Sequence, residues 1–225
     1  MNIDTITEQL TAAGRAIERD SFAIIDAEAG PHAYSPEQWA VVRRMIHASA
    51  DFELNGLTRF HPAAMAAGLA ALCDGGVPLV VDVEMIAAGL SRPRLAHFAL
   101  TVHHHIADAD VIMAAKTENG TRATHAMRKA WRLGLLEGAL VAIGNAPTAL
   151  LELVRLIRDE DVRPALVLAM PVGFVSAAEA KEAMMAIETV PWIAIRGRKG
   201  GSTLVVAAIH ALLALAEAKR QRQRV

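Results

Sequence analysis

The chain has 225 residues, of which 53% are hydrophobic and 21% are charged. This length fits one large domain or two small ones, and the composition is too apolar for a disordered chain. The formal net charge of -1 argues against general nucleic-acid binding, which requires a basic surface. The single cysteine, Cys73, excludes an intrachain disulfide, and neither a signal pattern nor an uninterrupted apolar run of about 18 residues occurs. We therefore expect a cytoplasmic protein that does not span a membrane.

Helices and short apolar strands alternate along the chain. The predicted helices, with apolar residues at helical spacing, cover residues 3–29, 36–50, 62–74, 85–90, 121–137, 147–158, 177–188 and 203–222. The predicted strands, short and apolar, cover residues 78–83, 97–102, 140–143, 165–169 and 192–195. Such alternation predicts right-handed crossovers and a parallel sheet that is buried on both faces. We expect one α/β domain over residues 1–225, with a mostly parallel sheet of about five strands covered by helices on both faces, in a flavodoxin-like arrangement.

Two predicted helices begin with capping signals. Residues 35–38, Ser-Pro-Glu-Gln, place a serine at the N-cap, a proline at the first helical position and a glutamine three residues after the serine. Residues 176–179, Ser-Ala-Ala-Glu, repeat the spacing of serine and acid. Both patterns predict a capping box.

The helix over residues 36–50 has a polar face with a histidine near its C-terminal end. Arg43, Arg44, His47 and Asp51 recur at a spacing of three to four residues, opposite the apolar stripe of the helix. Judged on this helix alone, His47 is better explained as a solvated histidine than as a catalytic one.

Three loops that follow predicted strands are rich in glycine and lead into helices. They are residues 144–150, 170–176 and 196–202. In a parallel sheet, ligands bind beyond the carboxyl ends of the strands, where helix N-termini offer free N–H groups to anions. The last loop adds Arg196, Arg198 and Lys199 to three glycines, which favours a phosphate or carboxylate ligand. Neither a Walker A sequence nor a G-x-G-x-x-G sequence follows a strand, so a nucleotide-binding module is disfavoured.

A run of three histidines, His103-His104-His105, is the one candidate metal site. His103 and His105 would share one face of a strand, with His97 as a third ligand. No carboxylate or thiol accompanies them at ligand spacing, so we predict no metal site and keep metal handling as an alternative.

Seven motifs in a fixed order carry a resemblance to a known family. They are SFAII at 21–25, MIHA at 45–48, DVEMI at 82–86, GTR at 120–122, GNAPTAL at 144–150, PVGFV at 171–175 and GRKGGS at 197–202. Together they resemble precorrin-8X methylmutase, the precorrin isomerase of cobalamin biosynthesis. The resemblance spans nearly the whole chain.

The resemblance implies an α/β homodimer with active sites at the subunit interface. The family moves a methyl group between neighbouring carbons of ring C of precorrin-8X, giving hydrogenobyrinate or its cobalt counterpart, without a redox cofactor. The resemblance further implies that His47 is the catalytic general acid. The residues predicted to hold the tetrapyrrole substrate are Ser21, Arg44, Arg122, Asn145, Thr148, Arg198, Lys199, Gly200 and Ser202.

Three alternatives stay open. The chain could carry corrinoid intermediates without converting them, since Ala123 and Ala180 stand where the family commonly has serine. It could act on cobalt-precorrin-8, giving cobyrinate. It could handle metal through His97, His103 and His105, in the manner of a chelatase.

Overall fold

The computed structural model describes residues 11–223, which form eleven helices and six strands. The helices are α1 (Ala12–Glu28), α2 (Pro36–Ser49), α3 (Leu54–Leu57), α4 (Ala64–Asp74), α5 (Glu84–Gly89), α6 (Arg92–His97), α7 (Ala109–Thr117), α8 (Arg122–Arg132), α9 (Pro147–Asp159), α10 (Ala177–Met185) and α11 (Ser202–Gln223). The strands are β1 (Thr58–Phe60), β2 (Pro78–Val81), β3 (Thr101–His103), β4 (Leu140–Ile143), β5 (Leu166–Ala169) and β6 (Trp192–Ile195). Of the helix predicted over residues 3–29, residues 3–10 lie outside the described part of the chain.

The six strands form one sheet in the order β1-β6-β5-β4-β2-β3. Strands β2 to β6 are parallel to one another, and β1 runs antiparallel to β6, with Thr58 opposite Ile195. The five parallel strands follow the flavodoxin order, so the predicted arrangement is confirmed. The antiparallel strand β1 was not predicted, because three residues are too short for a periodic signal.

Helices cover both faces of the sheet, as the apolar strands predict. In β4, Leu140 and Ala142 face a core formed with α2, α4, α5 and α11, whereas Val141 and Ile143 face a core formed with α8, α9 and α10. Successive strand residues point to opposite faces, so a strand that is buried on both sides is apolar throughout. Because both faces are covered, a ligand would bind beyond the carboxyl ends of the strands. We call this region, formed by the loops that follow β2, β4, β5 and β6, the carboxyl edge of the sheet.

One of the two predicted capping boxes forms. The Ser35 hydroxyl accepts the Gln38 N–H, and the Gln38 side chain accepts the Ser35 N–H, so this capping box is confirmed. At Ser176 the prediction is wrong, because this residue has a left-handed backbone with φ of 61° and makes no side-chain cap. A capping serine needs an extended backbone to turn its hydroxyl toward the third N–H of the helix.

The predicted strand over residues 97–102 is largely wrong. Helix α6 occupies the sequence up to His97, and β3 begins only at Thr101. Pro93 lies in the first turn of α6, where proline favours helix initiation. Helices α3 and α7 were also not predicted, and α8 ends at Arg132, ahead of Gly134 with φ of 70°, instead of at residue 137.

Helix α11 is long and apolar enough to cross a membrane by length and composition alone. Most of it is buried, however, against α2, α4 and α5, with Val205, Ala208 and Leu212 in the core. A helix that is apolar on most sides and covered by other helices is the core helix of a globular protein.

Candidate active site at the carboxyl edge of the sheet

The strand order reverses between β2 and β4, and Asp82 lies at this point. Its carboxylate accepts the N–H groups of Gly144 at 3.1 Å, Asn145 at 2.9 Å and Ala146 at 2.7 Å. The side chain is 3% exposed, and this burial raises the pKa of Asp82, while the three N–H groups act in the opposite direction. Asp82 therefore fixes the loop that carries the predicted residue Asn145. Sequence reasoning missed this role, although an acid directly after an apolar strand was a usable signal.

Close backbone contacts join the ends of β4, β5 and β6. A Cβ atom at Gly144 would lie 2.9 Å from the backbone N of Ser202, the first residue of α11. A Cβ atom at Gly200 would lie 2.2 Å from the carbonyl oxygen of Met170, and the Gly201 N–H donates to that oxygen at 2.9 Å. Both positions need glycine because any side chain would overlap backbone atoms. Gly200 and Ser202 thus have structural roles at this edge.

The N-terminus of α8 reaches the same edge. The Thr121 hydroxyl accepts the Thr124 N–H at 3.2 Å, which caps α8, and lies 2.8 Å from the hydroxyl of Thr148. Arg122 is the first residue of α8 and is exposed. The predicted residues Arg122 and Thr148 are therefore neighbours, held together by a threonine that sequence reasoning did not assign.

Lys199 connects the loop after β6 to the end of α2. Its Nζ lies 2.7 Å from the Asp51 carboxylate and 2.8 Å from that of Glu53, and both hydrogen bonds raise the pKa of Lys199. Helix α2 ends at Ser49, and its C-cap residue Ala50 has a left-handed backbone with φ of 53°, so Asp51 leaves the helix and turns toward this lysine. The positive charge of Lys199 is thus paired with two carboxylates of the same chain.

Behind Lys199 lies a second lysine, Lys181, which sequence reasoning did not single out as a site residue. Its side chain is fully buried, and its Nζ donates to the Lys199 carbonyl oxygen at 2.7 Å. Burial lowers the pKa of Lys181 to about 8, because a low-dielectric environment disfavours the charged form. Lys181 anchors the loop from the side of α10.

His47 is exposed in the last turn of α2 and packs against α1. Its ring centroid lies 5.2 Å from that of Phe22, at an interplanar angle of 66°. The guanidinium groups of Arg43 and Arg44 lie 4.5 Å and 5.7 Å from the same Phe22 ring. Phe22 is therefore the residue around which the polar face of α2 is arranged.

The predicted residues on α1 and α2 already have partners inside the chain. Arg44 forms an ion pair with Glu18, and Arg43 forms one with Asp26 at 2.7 Å. The Ser21 hydroxyl donates to the Ile17 carbonyl oxygen at 2.7 Å, within its own helix. The residues on α1 and α2 form one group with His47. A second group lies at the carboxyl edge of the sheet and consists of Asn145, Thr148, Arg198 and Ser202. The ion pair between Asp51 and Lys199 joins the two groups.

An exposed apolar segment borders the edge in the loop after β5. The side chain of Phe174 is 86% exposed, and the Arg198 guanidinium lies 5.8 Å from its ring centroid. Val172 and Val175 in the same loop are also exposed. Sequence reasoning identified the loop but not these side chains. The edge thus offers apolar contact surface next to cations and helix N-termini, as a large amphipathic anion requires.

The histidine run does not assemble a metal site. His105 Nδ1 lies 2.8 Å from the Asp108 carboxylate, which also binds Lys129 at 2.7 Å. His97 ends α6, away from the strand of His103, and its Nε2 lies 2.5 Å from Glu217. Within residues 11–223, no group of three side chains suited to a metal ion occurs. The metal alternative therefore has no three-histidine site.

The fold and the site define an α/β protein whose ligand edge is suited to a large anion. A family model for precorrin-8X methylmutase matches residues 16–215. The chain belongs to the precorrin-8X methylmutase family.

Individual relatives agree with this assignment. The cobalt-precorrin-8 methylmutase of Leptospira interrogans is 48% identical, covering 95% of this chain and 99% of that protein. The precorrin-8X methylmutase of Pseudomonas aeruginosa is 42% identical, over 88% of this chain and 94% of its own length. The crystal structure of a precorrin-8X methylmutase from Thermus thermophilus superposes with a TM-score of 0.85 at 55% identity, covering 91% of this chain and 97% of that one.

Proposed function

We propose that this protein is an isomerase of cobalamin biosynthesis that moves a methyl group between neighbouring carbons of ring C of precorrin-8X, giving hydrogenobyrinate. The observation that carries the proposal is the exposed imidazole of His47, placed beside an aromatic ring and two arginines in a chain of this family. The reaction rearranges one molecule, so it needs no external oxidant or reductant.

His47 acts as the general acid in this proposal. A methyl shift within a conjugated macrocycle requires protonation or tautomerisation of the ring, and a pocket that favours the reactive tautomer. An imidazole ring can both give and take a proton, and His47 presents its ring at the surface. After the shift, the ring returns a proton, so His47 ends the cycle in its starting state.

The substrate carries acetate and propionate carboxylates, which call for cations and free N–H groups. Arg122 and Arg198 are exposed at the edge of the sheet, and Thr148 and Ser202 lie in the first turns of α9 and α11. Asn145 adds an exposed amide. The proposed binding set is completed by Ser21, Arg44, Lys199 and Gly200. Arg44 would exchange its partner Glu18 for a substrate carboxylate, and Lys199 would do the same with Asp51 or Glu53.

We also propose that the chain is a single domain over residues 1–225 that forms a cytoplasmic homodimer with active sites at the subunit interface. Large apolar side chains are exposed on α1, at Ile17 and Ile24, and in the loop after β5, at Phe174 and Val175, which supports contact with a partner chain. Cys73 is free, which fits a reducing compartment.

The test is the visible spectrum of metal-free precorrin-8X on mixing with the protein, because the methyl shift changes the conjugated chromophore. Wild type is expected to convert the substrate, and His47→Ala to bind it without conversion. His32→Ala, which removes another exposed histidine, is the matched control and should retain turnover. Near-wild-type turnover by His47→Ala would contradict the role of His47.

Two alternative functions give distinct results in the same assay. Conversion of cobalt-precorrin-8 only, to cobyrinate, would assign the cobalt form of the reaction, as the name of the Leptospira relative suggests. Binding of both forms without conversion would identify a carrier of corrinoid intermediates. Ala123 and Ala180 give the carrier little support, since both lie buried in helices and not in ligand-facing loops.

A further inference from the structure

A cavity of about 290 Å³ lies between α1, α2, α6 and α11. Its polar lining consists of Glu18, Arg43, Arg44, Arg94 and His210, and the apolar part includes Phe22. Arg43 pairs with Asp26 and Arg44 pairs with Glu18, and the third guanidinium group, that of Arg94, adds a positive charge to the cavity lining. A cavity with this charge favours an anion.

The hydrogen bonds of two arginines indicate where an anion would bind. Arg43 Nη1 donates to Asp26 at 2.7 Å, while its buried Nε has no hydrogen-bond partner in residues 11–223. Arg94 is 7% exposed, and its Nη1 donates to the carbonyl oxygen of His210 at 3.1 Å, which fixes the guanidinium at the cavity wall. A buried donor without an acceptor is costly, and a carboxylate oxygen at Arg43 Nε would remove that cost.

The cavity lies next to the proposed catalytic residue, because both contact Phe22. Phe22 lines the cavity and also contacts the ring of His47 at 5.2 Å. Arg43 and Arg44 precede His47 by one helical turn, which places their Cβ atoms about 5–6 Å from that of His47. A ring held at His47 would therefore lie near the cavity.

We propose that this cavity binds one carboxylate-bearing side chain of the tetrapyrrole, with Arg43 and Arg94 as the recognising residues. The inference rests on the proposed function and adds a subsite to it. It assigns to α6 and α11 a part in substrate orientation: one anchored arm sets the rotation of the macrocycle over His47. Arg43 and Arg94 are positioning residues in this proposal.

The experiment is a set of absorbance titrations with hydrogenobyrinate and its mono-amides, in each of which one carboxylate is an amide. For wild type, we expect one mono-amide to bind about tenfold to a hundredfold more weakly than the others, the loss typical of one charge-assisted hydrogen bond. The Arg43→Gln variant should bind that mono-amide as tightly as it binds hydrogenobyrinate, because the guanidinium group that recognises the carboxylate is already absent. Arg43→Lys should recover part of the discrimination, and Arg132→Gln, at the exposed end of α8, is the charge-matched control.

A second variant tests the cavity without changing its charge. Ala214 lines the cavity and is exposed, so Ala214→Phe fills the space from its mouth, and Ala214→Leu replaces it if circular dichroism shows that the first variant does not fold. Filling the cavity should weaken the binding of hydrogenobyrinate by at least tenfold. Equal affinity of wild type for all mono-amides, or the same discrimination in Arg43→Gln as in wild type, would overturn the inference while leaving the proposed function intact. No binding of hydrogenobyrinate or precorrin-8X by wild type would overturn the proposed function itself.

Discussion

Lys181 makes the stability of this protein depend on pH in a way that one substitution should remove. Its amine is buried with the Lys199 carbonyl oxygen as its hydrogen-bond partner, and burial lowers its pKa from 10.5 to about 8. The unfolded chain therefore binds more protons than the folded one between pH 8 and 10.5, so stability rises with pH over this interval. Below pH 8, both states are protonated and the full cost of the buried charge is present.

The magnitude follows from the difference in pKa. At about 1.4 kcal/mol for each pH unit, a change from 10.5 to about 8 corresponds to about 3 kcal/mol. Lys181→Met removes this cost at pH 7 but leaves the Lys199 carbonyl oxygen without its donor, which costs about 1–3 kcal/mol. We expect the two proteins to differ little at pH 7, and wild type to gain about 2–3 kcal/mol relative to the variant by pH 10.

Urea unfolding at pH 7, 8, 9 and 10 measures this difference directly. Other titrating groups affect both proteins alike, so the difference in the free energy of unfolding isolates Lys181. Lys116→Met, at an exposed position in the last turn of α7, is the control and should follow wild type at every pH. A constant difference between wild type and Lys181→Met across this range would refute the reasoning, because it would mean that the buried amine does not titrate there.

Three further predictions concern local structure. Asp82→Asn should destabilise the protein by about 2–4 kcal/mol in urea unfolding, because an amide has one acceptor oxygen for three N–H groups, and should weaken substrate binding in the absorbance titration. Gly200→Ala should lower the thermal midpoint strongly or prevent folding, whereas Gly56→Ala, with open space at its Cβ, should have a small effect. Ser35→Ala should cost about 1 kcal/mol by loss of the N-cap and Ser176→Ala close to nothing; equal costs would contradict the cap assignment.

The sheet was predictable because its central strands are apolar throughout. Residues 140–143 and 192–195 were predicted with the bounds that the structure has, since burial on both faces leaves no polar position in them. Strand β1 and the start of β3 were missed because both strands are short and lie at the edges of the sheet. Three-residue strands at the edges of a sheet derive their structure from pairing with a neighbour, and this does not appear in the local sequence.

The candidate site was predictable as a set of loops but not as a set of contacts. Glycine-rich segments after strands identified the edge that carries Asn145, Thr148 and Arg198. The partners of Arg44 and Lys199 were not predictable, because Glu18 lies 26 positions and Asp51 lies 148 positions away in the chain. Ion pairs over such separations depend on how helices pack, and the periodicity of one segment carries no information about that.

The carboxylate at the end of β2 has a consequence for what this edge can recognise. Three successive backbone N–H groups at a switch point form a concave cradle of the kind that holds phosphate in many α/β proteins. Here the cradle is filled from within by the carboxylate of Asp82, at 2.7–3.1 Å. The protein supplies its own anion where another member of this fold class would take one from a nucleotide. An external anion at this edge therefore has to be bound by other groups, such as the exposed guanidinium groups of Arg122 and Arg198.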